Sequence, residues 1–386
     1  MAEQSRQTRG GLPAATWSEG ELAFELERCQ EQLLTVERSF ALLHNFSPKN
    51  FREQCHLVAH ALRRGKGPVM RFDYPPLGPQ IAERFSHLER LSRHLQKLDR
   101  TSVAVELLGE RIVELSREAD LLRSRCRVGV AEAAAQRYPL LEAELQAADE
   151  LSERWLNLLE PADSSVDRSA SAHGAVSSES AGTCFPLAQA LVRRARRDGV
   201  DVPIVEMDMV ALAAASEDAI YVRAGVSVDG QVADRVWAHE AFAHYMPRRL
   251  GRRLPAPCAV GSALSDQDEE GRALVLEERV RALSPARKVE LAVRHQLALA
   301  SRQSETAGFD KARELLQRGV AVEEVATSLC RALRGGGLAR EVIYLPAYLR
   351  VSQALAAWPD LDRWMGQARL SARAARKLAR AASCLS

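Results

Sequence analysis

The chain has 386 residues, 46% hydrophobic and 27% charged, with a formal net charge of +2. That length is enough for a sizeable core in one large domain or two modest ones. The near-neutral balance argues against a dedicated nucleic-acid binder, and 5% aromatics leave little for a base-stacking platform.

Seven cysteines are scattered with no C-x-x-C pair, the usage of a reducing compartment rather than of a disulfide framework. Met1–Thr16 has no apolar stretch of the signal-peptide kind, and no apolar run approaches the roughly 20 residues that span a bilayer. The expectation is a soluble, cytoplasmic protein with neither a membrane nor a nucleic acid as partner. The bias toward Ala, Leu, Arg and Glu predicts mostly helix.

Residues 1–16 are Gly-, Gln- and Arg-rich and read as a disordered start. Ser18 ahead of Glu19 and Glu21 predicts a helix start, and Leu22, Leu26, Leu33, Leu34, Phe40 and Leu43 continue at helical spacing. Ser47-Pro48-Lys49-Asn50 interrupts it. A second helix runs through Phe51, Leu57, Val58 and Leu62, and Phe72–Pro76 is extended and fixed by proline. Two amphipathic helices follow at about 79–98 and 101–125, a scaffold hairpin. Another spans Pro139 to Leu159, which completes a helical N-terminal region over 17–160.

Residues 161–183, rich in Ser, Ala and Gly without an apolar period, read as a flexible loop and as the best boundary in the chain. Beyond it lies a region over 184–386. Phe185–Arg197 reads as helix. Val202–Val205 and Ala219–Val222 are the convincing strands, and from Ser265 onward nearly everything reads as helix.

After the second strand and a turn at Asp229-Gly230 comes His239-Glu240-Ala241-Phe242-Ala243-His244. Two neutral imidazoles can hold a metal, and a carboxylate directly beside them can take a proton from the attacking water. The zincin helix spaces its histidines four apart; here they are five apart, which on an ideal α-helix separates them by roughly 140°. A π-bulge absorbing one residue would bring them together.

A hydrolytic site also needs a third ligand. Asp268-Glu269-Glu270-Gly271 opens a helix that reaches Glu277. Glu270 and Glu277, seven apart, share one face and both can look inward. Asp268 and Glu269 read as a solvated helix start, where acids complement the dipole. His56 and His60, four apart, form a weaker rival pair with no adjacent acid. Arg331 and Arg334 could grip a carboxylate bidentately. No phosphate-binding glycine loop and no nucleophile elbow is present.

In this order the segments resemble the bacterial QEGLA-motif proteins, described as flavohaemoglobin-expression-modulating, and their relatives, the microtubule-associated tyrosine carboxypeptidases. The family's His-Glu-x-x-x-His, Asn-Gly, Gln-Pro and Gln-Glu-Gly-Leu-Ala correspond to His239–His244, Leu250-Gly251, Leu254-Pro255 and Glu269-Glu270-Gly271-Arg272-Ala273. Upstream, Ser47–Asn50 and Phe72–Tyr74 resemble its Pro-x-Asn and Phe-x-Tyr segments. Downstream, Arg331–Gly335 and Arg340–Tyr344 resemble its Arg-x-x-Arg-Gly and Lys-Asp-x-x-Tyr. The resemblance covers roughly residues 20–360.

It implies a predominantly helical α+β protein with a zincin-like metallopeptidase core at 184–386. It also implies a Zn2+ held by His239, His244 and Glu270, Glu240 as general base and Tyr344 as a possible stabiliser of the oxyanion. Gly271 is expected to let the metal helix come close. The implied function is a zinc metallocarboxypeptidase acting on a protein or peptide C-terminus, with Arg331 and Arg334 receiving the terminal carboxylate. The sequence departs from the pattern at Phe242, where the family has Gly, at Glu269 and Arg272, and at Leu250 and Leu254. Those departures support the alternative, a catalytically inactive regulatory or scaffold protein that kept the fold.

Overall fold

The computed structural model describes residues 18–67, 69–98, 101–159 and 184–383. The expected disordered start (1–16) and the expected loop (161–183) lie outside the described residues.

Helix α1 (Glu19–Phe40) starts where expected. Ser18 Oγ accepts from the Glu21 N–H at 3.3 Å, and the Glu21 carboxylate accepts from the Ser18 N–H at 3.0 Å, which satisfies two donors at the helix start. A single turn, α2 (Leu42–Asn45), leads to α3 (Phe51–Arg63). The expected hairpin is α4 (Gln80–Leu95) and α5 (Val103–Ser124), and the last expected helix of this region is α7 (Glu142–Leu156). Between them stands α6 (Val130–Arg137), which the sequence reading does not anticipate; Gly129, at φ 95°, begins it.

Past the expected loop, β1 (Phe185–Pro186) and α8 (Leu187–Asp198) precede β2 (Ile204–Met207), β3 (Ala213–Ala215), β4 (Ile220–Arg223) and β5 (Ser227–Val228). The two expected strands pair in parallel, Ile204 opposite Ile220. β3 adds itself antiparallel to the other edge of β4, Ala213 opposite Val222, giving the order β2-β4-β3. β1 and β5 form a separate antiparallel ribbon. Then come α9 (Gly230–Trp237), a π-helix (Ala238–Tyr245) and α10 (Met246–Gly251) in one continuous rod. Asp229 is the N-cap of α9, its carboxylate accepting from the Val232 N–H at 2.7 Å.

The remainder is helical: α11 (Ser265–Arg279), α12 (Pro285–Gln303), α13 (Glu305–Gln317), α14 (Val322–Leu333), α15 (Tyr344–Ala357), α16 (Leu361–Gln367) and α17 (Ala372–Ser383). Two short 3-10 turns, Arg334–Gly336 and Arg340–Ile343, join α14 to α15. The protein is predominantly helical with a small sheet. Among the described residues, no helix is long and apolar enough to cross a membrane.

Three apolar cores hold these elements. One unites Leu107 and Trp155 with Leu274, Leu297 and Leu329. A second unites Leu33 and Leu115 with Val260, Leu338 and Val342. Both draw on residues from each side of 161–183, so the N-terminal helices pack into the same interiors as the C-terminal ones. The third core, with Leu191, Ile220, Val236, Trp237 and Ala241, binds the sheet to the α9–π-helix rod.

Candidate metal centre

The extra residue between His239 and His244 is accommodated by the π-helix. Its i→i+5 hydrogen bonds set residues five apart above one another, and the two imidazole centroids lie 5.0 Å apart. Against this rod packs α11. One ligand atom each from His239, His244 and Glu270 can be chosen so that all lie within 4.8 Å of one another. Among the described residues this is the group able to hold a metal ion. Glu270 Oε2 stands 3.5 Å from His239 Nε2 and 3.8 Å from His244 Nε2.

The outward nitrogens are taken by other acids. His239 Nδ1 meets Glu277 Oε1 at 2.7 Å, and His244 Nδ1 meets Glu269 Oε2 at 3.2 Å. An acid at Nδ1 fixes the ring and its tautomer, leaving the Nε2 lone pair directed at the centre. Glu277 is itself held by Arg287, Nε to Oε2 at 3.2 Å. Glu269 also accepts from Arg248 and Arg369, at 2.9 and 3.2 Å.

Glu270 Oε1 accepts from Arg340 Nη2 at 2.9 Å, whereas its Oε2 is buried and has no hydrogen-bond partner. A buried carboxylate oxygen without a donor is costly, and a cation among these three side chains removes that cost. The donor set of two imidazoles and one carboxylate, each imidazole backed by an acid, therefore fits a divalent metal.

The charges are strongly coupled. Burial pulls His239 down, but the Glu270 and Glu277 carboxylates beside it outweigh that and push it up to about 10. Burial raises Glu270, yet Arg340 and the two histidines hold it well below the usual carboxylate range. Glu277, raised by burial and lowered more by Arg287 and His239, falls to about 2.

The centre opens into a cavity of about 1420 Å³. Glu240, buried and next to His239, lines it, as does Tyr344. The Tyr344 hydroxyl accepts from Arg340 Nη1 at 3.1 Å, so one guanidinium bridges Tyr344 and Glu270. Burial, and Glu270 nearby, push this phenol up. Strand β3 forms one wall, while Phe51, Cys55 and Ala59 of α3 form another.

Arg331 reaches the lining; Arg334 does not, and its Nη2 is engaged with Glu341 Oε1 at 3.3 Å. Arg294 beside it, together with burial, lowers Arg331 to about 10. Of the rival histidine pair, His56 lines the cavity, while His60 is exposed with its Nε2 against Arg64 Nη1 at 3.3 Å.

Two expectations need correction. Asp268 and Glu269 are not a solvated helix start: both are buried, Asp268 against Arg350 and Glu269 against His244. The arginines that pair with them come from distant parts of the chain and override the simple dipole reading. Gly271 does not face the metal helix; a Cβ there would lie 2.3 Å from Ala347 O, so it serves the packing of α11 on α15. Of the departures from the quoted pattern, Phe242, Leu250, Leu254 and Arg272 lie outside the cavity lining, whereas Glu269, in the place of a Gln, is part of it. Phe242 instead meets Trp237 edge to face, 5.9 Å between centroids.

The other motif segments form one clasp. Asn50 donates to Arg71 O at 2.8 Å and accepts from the Asp73 N–H at 2.9 Å. The Tyr74 hydroxyl accepts from the Gly335 N–H, and Gly335, at φ 69°, lies where a Cβ would strike the Phe46 ring. Segments far apart in sequence thus anchor the turn that delivers Arg340 and Tyr344. Sequence reasoning misses Arg287 and the roles open to Arg340 and Glu269, since nothing local shows which distant groups these charges meet.

A model of the microtubule-associated tyrosine carboxypeptidase family matches residues 65–370. The chain belongs to this family. The match spans both the N-terminal helices from the end of α3 and the whole candidate centre. No curated protein and no solved structure matches the chain.

Proposed function

We propose that the protein is a zinc-dependent carboxypeptidase with a zincin-like core, removing one or more residues from an accessible protein or peptide C-terminus in a reducing, cytoplasmic setting. The observation that carries this reading is the buried, partnerless Glu270 Oε2 facing two Nε2 atoms whose partner nitrogens are already held by acids. Family membership supplies the peptidase class and, in its name, a C-terminal tyrosine as the first substrate to try.

His239, His244 and Glu270 would hold the zinc, which when bound supplies Lewis acidity toward the scissile carbonyl. Glu240 takes the proton of the attacking water and passes it to the leaving amine. Tyr344 donates to the oxygen that gains charge, with Arg340 orienting its hydroxyl. Arg331 receives the terminal carboxylate; Arg334, already engaged with Glu341, supports the turn instead. The outer edge of β3 offers backbone groups to an extended peptide.

Incubating the purified protein with peptides bearing free C-termini, and reading products by mass spectrometry, tests the proposal. Chelator-sensitive loss of C-terminal residues is expected. Glu240→Gln is expected to retain about one zinc per chain while turnover falls by at least ~100-fold. A wild-type protein that takes up no zinc, or a Glu240→Gln variant with undiminished turnover, would overturn it.

A further inference from the structure

The π-helix deprives one carbonyl of its backbone partner. In an α-helical register the Met246 N–H would donate to Phe242 O; here it donates to Ala241 O. The next i→i+5 donor would be the N–H of residue 247, which is proline and has none. Phe242 O accepts instead from Arg272 Nη1 at 2.6 Å. A carbonyl left unpaired in this partly buried place would carry a cost close to that of a lost hydrogen bond.

The guanidinium is held for this task. Arg272 is buried, and its Nε donates to Asp362 Oδ1 at 2.8 Å. Gly366 of α16 leaves room for it, since a Cβ there would come within 3.0 Å of Arg272 Nη2. Arg272 lies two residues beyond Glu270 on α11, so one helix delivers both the acid of the cage and the donor to the π-turn.

We propose that Arg272 is a positioning residue: it pins the π register of Ala238–Tyr245, and with it the convergence of His239 and His244, by capping the carbonyl that Pro247 leaves open. Without it, Phe242 O regains a partner only by taking the Met246 N–H back. That returns the turn toward an α register, in which the histidines diverge by roughly 140°. The consequence for metal binding rests on the proposed zinc site; the pinning itself does not.

The test uses the full chain in two measurements. One is amide hydrogen exchange over 238–247 without metal, and the other is Zn2+ affinity by chelator competition. Arg272→Leu is expected to change the pattern of amide protection over 238–247 from that of wild type and to weaken Zn2+ binding roughly 10–100-fold. Asp362→Asn, which removes a charge but keeps an acceptor for Arg272 Nε and leaves the carbonyl contact in place, should stay within a few-fold of wild type in both. Pro247→Ala restores a backbone donor for Phe242 O and should recover most of the loss in the Arg272→Leu background.

Should Arg272→Leu fail to fold, Arg272→Gln, with one shorter donor, is expected to lose several-fold and to be restored by Pro247→Ala. Unchanged exchange and affinity in the Arg272 variants would overturn the proposal. So would a loss in Asp362→Asn equal to that in Arg272→Leu, or no recovery with Pro247→Ala. If wild type binds no Zn2+, the proposed function fails, while the exchange data still decide the pinning.

Discussion

Helix α11 carries two kinds of acid within its first two turns. Asp266 has both oxygens filled: Oδ1 accepts from Arg369 Nη2 at 2.8 Å and Oδ2 from Arg137 Nη2 at 2.8 Å. Glu37 on α1 closes the same network, accepting from Arg111 at 2.7 Å and from Arg369 at 2.8 and 3.0 Å. One turn along α11, Glu270 has one oxygen filled by Arg340 and the other empty, facing two imidazole lone pairs at the head of a cavity. Charge, helix and a neighbouring guanidinium are shared. What separates a structural cluster from a candidate centre is several unfilled lone pairs converging on one accessible point.

The sharpest way to break this comparison is to remove acids of each kind. Glu270→Ala removes an atom of the converging set and should weaken zinc binding by orders of magnitude. Glu277→Ala removes only the acid that orients His239, and should cost roughly 10–100-fold. A chelator titration ranking the two the other way would give the ligand role to Glu277. Asp266→Asn should do the opposite of Glu270→Ala. It leaves Arg111 and Arg137, both essentially fully buried, short of an acid, and breaking such a network costs roughly 3–5 kcal/mol of stability. Zinc affinity should stay near wild type, as denaturation and metal titration on one preparation would establish.

The arginines allow a finer contrast. Arg340 and Arg369 are saturated by this protein's own acids, whereas Arg331 reaches the cavity with Arg294 as its strongest charged neighbour. Arg331→Ala is expected to raise KM for peptides with free C-termini about 10- to 100-fold, the loss of one charged hydrogen-bonded contact, with kcat little changed. Peptides with amidated C-termini should show no such difference between variant and wild type. Equal losses on both would remove Arg331 from carboxylate recognition.

The histidine spacing, the acid after the first histidine and the downstream Glu-Glu-Gly are local patterns, which is why the candidate cage and its need for a π-bulge are legible in the sequence. The helix start at Ser18 and the α4–α5 hairpin are legible for the same reason. β3 is not, because Ala213-Ala214-Ala215 has little strand preference and is extended only by pairing with β4. The saturation of Asp266 and Asp268 is equally hidden, since Arg137, Arg350 and Arg369 arrive from far along the chain. Pro247 is the overlooked local signal: a residue without an N–H, placed where the helix must change register.

Histidines offer the smallest and cleanest test of the same contrast. His239 is partly buried among carboxylates and rises to about 10, while His295 on α12 is buried with no carboxylate hydrogen-bonded to its ring. Burial lowers His295 from 6.5 to about 4, against a weaker upward pull from Asp149. Below pH 6.5 the unfolded chain therefore binds a proton at this site that the folded chain refuses, and stability falls as pH falls toward 4. Between pH 8 and pH 6 the loss from this group should be about 0.8 kcal/mol. His295→Leu has no proton to gain in either state, so its denaturation midpoint should fall less than wild type over that interval by the equivalent amount. Parallel pH profiles would mean that His295 is protonated in the fold, and that burial without an acid partner does not govern it.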